Sequence, residues 1–152
     1  MTKTWRIVAV AVCLSLPAAG MADDENPDEA AAHVRHALME LMGWNITPLG
    51  EMSGGQQPFD ADLAATRGQR LVALGGMIGD AFERDTSGTG VKTEALDAVW
   101  QNPDDFATKA QAMIDAATAY TAATGDGEPA AKVAFAKLGK ACKSCHEEYK
   151  SE

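Results

Sequence analysis

Cys142, Lys143, Ser144, Cys145 and His146 form a run whose residue types and spacing carry a defined chemistry. C-x-x-C-H is the attachment signature of a c-type haem. Each thiol can close a thioether bond onto one vinyl group of the porphyrin. The histidine directly after the second cysteine then falls under the iron as an axial ligand. Residues 147–152 are all that follow, and they hold no Met, His or Cys. A second protein ligand to the iron therefore has to come from upstream.

Other uses of such a cysteine pair fit less well. A thioredoxin-like pair needs a βαβ setting and a thiol at a helix start, whereas this pair falls deep in a helical pattern. A structural zinc site takes four ligands, commonly as two paired sets. Here there is one set, with His33 and His36 as its only possible histidine supplements. Those two lie three apart on one helix, with Glu40 next on that side, so they could bind a metal. They read more simply as solvated helix residues. No carboxylate pair, nucleophile triad or phosphate loop points to an enzyme.

The first residues carry a different signal. Lys3 and Arg6 form a positive segment, Ile7 to Leu16 an apolar core, and Gly20-Met21-Ala22 a small-residue cleavage site. This is the pattern of a secretory signal peptide spanning 1–22 and cleaved before Asp23. Its apolar run is shorter than the ~20 residues of a membrane-spanning helix. Cleavage removes Cys13, leaving residues 23–152 with two cysteines, both in the haem motif. It also removes two positive charges and no negative one, so the formal net charge moves from −9 to −11. Such an acidic chain argues against nucleic acid or an anionic membrane as partner. Export to the periplasm suits covalent haem attachment, which in bacteria takes place outside the cytoplasm.

Residues 23–152 read as one all-α domain. Asn26-Pro27-Asp28-Glu29 has the cap, proline and acidic residues of a helix start. Apolar residues then recur at Val34, Leu38, Leu41, Met42 and Leu49, and Pro48 should kink or end that helix. Asp60 or Asp62 starts a second helix whose face runs from Leu63 to Phe82. Gly75 and Gly76 fall inside it, either for close approach of a neighbour or as a local irregularity. Thr93 to Trp100 can form a short helical turn. Asn102-Pro103 repeats the cap-and-proline start for a third helix through Tyr120, stopped at Gly125-Asp126-Gly127. Glu128-Pro129 starts the fourth, with Ala131, Ala134, Phe135, Leu138, Cys142, Cys145 and Tyr149 on one face. Both cysteines and His146 then share one side of that helix. The expected architecture is an antiparallel four-helix bundle enclosing one covalently bound haem c near one end.

Several segments resemble the cytochrome c-prime family, the c-type cytochromes whose haem motif is C-terminal. Val34-Arg35 with Met39 resembles the family's first helix. Gln57-Pro58-Phe59-Asp60 resembles its approach to the second, and Trp100 a tryptophan ahead of the third. Phe135 through Gly139 to Cys142-Lys143-Ser144-Cys145-His146-Glu147-Glu148-Tyr149 resembles its last helix. The resemblance implies a periplasmic homodimer with His146 as proximal iron ligand. It also implies Arg35 near a haem propionate and Met39 covering the distal face without ligating. The iron would be five-coordinate, high-spin and open to nitric oxide or carbon monoxide. Lys150 departs from the arginine usual four residues past the haem histidine, keeping the charge but not the planar fork.

Two functional readings follow. One is a haem protein that binds small diatomic gases beneath an apolar cover. The other is a low-spin carrier exchanging electrons with redox proteins, with Met39 or Met42 as sixth ligand. Ordinary core filling is the simpler role for Met42.

Overall fold

Asn26 caps the first helix, its side-chain oxygen accepting from the Asp28 N–H at 3.0 Å. The computed structural model describes residues 26–151, so the expected signal segment and Cys13 lie outside the described residues. The helices are α1 (Pro27–Ser53), α2 (Ala61–Gly75), α3 (Ile78–Ala81), α4 (Ala98–Gln101), α5 (Pro103–Ala123) and α6 (Glu128–Tyr149). The four long ones, α1, α2, α5 and α6, pack as a ring of neighbours. Close pairs show their directions. Gly68 meets Tyr120 and Gly75 meets Met113, so α2 and α5 run antiparallel. Tyr120 meets Phe135 and Phe106 meets Tyr149, so α5 and α6 do too.

Three local expectations need revision. Pro48 neither ends nor interrupts α1, which continues to Ser53. A helical proline leaves the carbonyl four residues back without its N–H partner. That carbonyl belongs to Trp44, and Arg67 Nη1 of α2 donates to it at 3.2 Å. The Arg67 guanidinium also lies 3.9 Å from the Trp44 ring centroid. The second helix does not run on to Phe82 but stops at Gly75, and a bend through Gly76-Met77 leads into α3. Gly75 is where α5 comes closest: a Cβ there would stand 2.7 Å from Met113 Cε and Ile114 Cγ1. Asn102 does not cap α5 with its side chain, which instead donates back to the Ala98 carbonyl at 3.3 Å. Asp60, by contrast, caps α2 through the Leu63 N–H at 2.9 Å.

One end of the bundle is filled by side chains. Leu49 and Met52 of α1, Tyr120 of α5 and Leu138 of α6 are its largest fully buried residues. Toward the other end α1 and α6 no longer close on each other, and a cavity takes the place of the core. A chain of rings, Phe82 to Phe106 at 5.0 Å and Phe106 to Tyr149 at 5.1 Å, packs beside it. The long connection from α3 to α4 returns along this end. Its strand-like stretch pairs with the C-terminus, Leu96 N–H to Tyr149 O at 3.0 Å and Ser151 N–H to Glu94 O at 2.8 Å.

Candidate functional site

The cavity measures about 800 Å³, within the ~300–1,000 Å³ of small-molecule and cofactor sites. Cys142, Cys145 and His146 line it from α6, and Arg35, Met39 and Met42 from α1. The six residues expected around the haem therefore meet at one place. The α6 set follows from helix periodicity alone: positions 142, 145, 146 and 149 recur on the side that buries Leu138.

Electrostatics separate haem attachment from thiolate chemistry. Burial pushes the thiols of both Cys142 and Cys145 up, and at Cys145 the nearby Lys109 charge opposes this only in part. Both therefore stay protonated at neutral pH, unlike a redox-active pair, which needs a depressed thiol. Burial acts on His146 in the opposite sense, lowering its pKa; Lys150 adds to the fall and Glu94 opposes it. His146 is thus the neutral imidazole, the form that can ligate iron.

Arg35 is the lining residue best suited to an anionic group. Its side chain is buried, 2% exposed. Nη1 donates to the Arg84 carbonyl at 3.1 Å and Nη2 to Thr86 Oγ1 at 2.8 Å. Nε is buried without a partner. The guanidinium sits 5.5 Å from the Phe82 ring centroid and 5.2 Å from that of Trp100. Trp100 is fixed in turn by its Nε1–H donating to the Phe82 carbonyl at 2.9 Å. Burial lowers the Arg35 pKa, and Asp28 raises it only secondarily. A buried cation with an idle donor beside a large apolar cavity fits a carboxylate carried by the occupant.

The remaining lining belongs to two classes. Ile46, Leu71, Ile78, Met113 and Leu138 join Met39 and Met42 as apolar surface. Exposed charged or titratable groups complete it, among them His33, His36, Glu40 and Lys92. His36 pairs with Glu40 at 3.4 Å. Among the described residues no group of three or more His, Cys, Asp or Glu side chains converges as a metal site.

Three features near His146 were not read from the sequence. Lys92 to Ala95 form a strap along the cavity, and Lys150 Nζ binds Glu94 of that strap at 3.2 Å. Lys109 bridges Asp105 at 3.6 Å and Glu148 at 3.3 Å. Tyr149 donates to Asp105 Oδ2 at 2.6 Å, and this bond pushes its pKa up to about 12. The unfolded phenol titrates near ~10, so the folded chain holds the proton more tightly. That stability is complete below pH ~10 and is lost as pH rises toward 12. Tyr149→Phe should flatten the stability–pH curve in this window, as read from denaturant midpoints across it.

Comparison with known proteins decides the family. The family model for cytochrome c' matches residues 30–150. The chain belongs to the cytochrome c' family. Two curated relatives come from Cereibacter sphaeroides. Cytochrome c-554 is 37% identical over 149 residues, covering 96% of this chain and 97% of the relative. Cytochrome c' is 33% identical over 147 residues, covering 95% and 97%. A solved cytochrome c' from Rhodobacter superposes with a TM-score of 0.78 at 32% identity, over 84% of this chain and 99% of that one. The expected fold is therefore borne out, and the chain is a haem c protein of this family.

Proposed function

We propose that Cys142 and Cys145 hold the haem through thioether bonds and that His146 is the proximal ligand of its iron. In this reading Arg35 would pair with a propionate, and Met39 would shield the iron without ligating it. Bound there, the haem would supply a five-coordinate, high-spin iron able to take small gases such as nitric oxide or carbon monoxide and to exchange single electrons. The observation that carries the reading is the cavity, where the C-x-x-C-H helix and an apolar α1 wall line one space. Met39, Met42 and Ile46 present no hydrogen-bond donor to it, which suits small neutral diatomics better than polar ligands. The nitrogen bases on α1, His33 and His36, are exposed. Residues 1–22 send the protein to the periplasm and are removed there. We assign the site capture of gas and exchange of electrons, with no enzymatic turnover.

A solved relative supports the gas reading: a mutant of cytochrome c prime from Alcaligenes xylosoxidans, described as a nitric oxide complex, is 26% identical with a TM-score of 0.72. Adding nitric oxide to the reduced haem-loaded protein should shift the Soret band, and no shift would contradict the reading. Met39→Ala should then speed gas association by about tenfold, a fall of ~1.4 kcal/mol in the barrier, as measured by stopped flow.

A second reading rests on the two thioethers lining the cavity from α1. If Met39 or Met42 ligates, the iron is six-coordinate and low-spin, the reduction potential is raised, and the protein is an electron carrier.

A homodimer is also part of the proposal, with a second copy covering the outer seam of α1. Val34, Ala37, Leu41 and Trp44 are spaced three, four and three apart, as in a helix–helix seam. Val34, Leu41 and Trp44 are 57%, 48% and 57% exposed, more apolar surface than a helix leaves to water without a partner. A related cytochrome c', 26% identical with a TM-score of 0.72, is described as having a ligand-controlled dimer dissociation. Leu41→Glu should give monomers in sedimentation velocity while leaving the haem spectrum unchanged.

A further inference from the structure

The outer face of α6 differs in charge from the rest of the protein. Residues 129–146 carry Lys132, Lys137, Lys140 and Lys143 and no Asp or Glu. That segment stands at +4 and leaves the rest of residues 23–152 at −15. At 100° per residue the four lysines fall within an arc of about 140°. Within that arc lie Val133, 62% exposed, and Ala136, also exposed.

Among the described residues three of these lysines are also free of ion pairs, while the fourth, Lys143, pairs with Glu147 at 3.5 Å. Arg84, Lys109, Lys143 and Lys150 are held in ion pairs, Arg35 is buried, Arg67 and Arg70 lie against Trp44, and Lys92 is exposed and without an ion pair among the described residues but stands apart on the α3–α4 connection. Among the described residues Lys132, Lys137 and Lys140 form no ion pair, and all three are exposed. An acidic chain with carboxylates to spare thus leaves three neighbouring cations on one helix unneutralised.

We propose that this face of α6 is the docking surface for a small acidic electron-carrying protein. It rests on the reading above that Cys142 and Cys145 carry the haem, because that is what places the redox group beneath this face. The cysteines stand on the other side of the same helix, about one helix diameter, 10–12 Å, away. Charge complementarity selects the partner. The −15 remainder repels an acidic protein from every other approach, and the lysines draw it to this one. At physiological salt, where charges are screened beyond about 8 Å, the local lysines decide the contact. Val133 and Ala136 supply the apolar centre inside a charged rim that protein interfaces show. A membrane is the poorer occupant, because helices that lie on bilayers present Trp, Phe or Leu, and this face has none.

The test is a titration of isotope-labelled, haem-loaded protein with a reduced acidic blue-copper protein, followed by amide shifts. Shifts should cluster on residues 132–144, and affinity should fall by about tenfold or more from low to physiological salt. The triple variant Lys132→Glu, Lys137→Glu, Lys140→Glu should abolish the shifts with its haem absorbance unchanged. If that variant fails to fold, the triple glutamine variant should weaken binding by about tenfold. Binding that strengthens with salt, shifts centred on the cavity edge, or a triple variant that binds as well as the native chain would overturn the proposal. So would lysine-dependent binding to phosphatidylglycerol vesicles with none to the blue-copper protein. A normal haem spectrum with failed docking would sink this surface alone and leave the haem site standing.

Discussion

Changing Cys142 and Cys145 together to alanine should yield protein with no haem retained on a denaturing gel and little fixed tertiary structure. The magnitude follows from the cavity. The haem would cover the apolar wall formed by Met39, Met42, Ile46, Leu71, Ile78 and Met113. Left to water at about 25 cal/mol per Å², that wall costs a large part of the ~5–15 kcal/mol by which a domain is stable. Without covalent haem, α1 and α6 therefore cannot keep their spacing. The closed end, with Leu49, Met52, Tyr120 and Leu138, should hold helical secondary structure. The expected signature is a retained far-ultraviolet and a lost near-ultraviolet circular dichroism signal. Either single alanine variant keeps one thioether and should retain haem stain at reduced yield. A double variant with native near-ultraviolet signal would contradict this account of the core.

Arg35→Met should lower the stability of the haem-loaded protein by about 2–4 kcal/mol, because it removes two hydrogen bonds from a charged donor at once. For a chain of this size that is a fall in Tm on the order of 10 °C. The two bonds, to the Arg84 carbonyl and Thr86 Oγ1, tie the start of the α3–α4 connection to α1. A second tie, Arg84 to Asp28 at 2.6 Å, is largely exposed and worth less. Arg35→Lys tests the geometry separately from the charge. Lysine cannot span both partners with a planar fork, so it should recover less than half of the loss. Full recovery by lysine would mean that the site uses only a point charge.

The cavity-lining face of α6 was legible because its information is local. C-x-x-C-H and the periodicity from Ala131 to Tyr149 are properties of one segment, and they placed Cys142, Cys145 and His146 on one side of it. The four long helices were legible for the same reason, through apolar spacing and the starts at Asn26-Pro27 and Asp60. What could not be read depends on partners far along the chain. Pro48 is tolerated because Arg67 takes the Trp44 carbonyl, and nothing near Pro48 announces Arg67. The break after Gly75 reflects a close approach by Met113 and Ile114. The 92–95 strap pairs with residues beside the C-terminus, and Tyr149 finds Asp105 across two helices. Arg35 lay between these cases. Its position was recognisable by resemblance, but its burial between Phe82 and Trp100 and its idle Nε appear only in three dimensions.

The proposed function turns on whether Met39 shields the iron or ligates it. The most direct measurement is the combined visible, near-infrared and electron paramagnetic resonance spectrum of the oxidised haem-loaded protein. The expected result is an axial high-spin ferric signal, a broad Soret band and no near-infrared methionine–iron band. A low-spin signal with that near-infrared band, abolished by Met39→Leu, would contradict it and make the protein a methionine-ligated electron carrier.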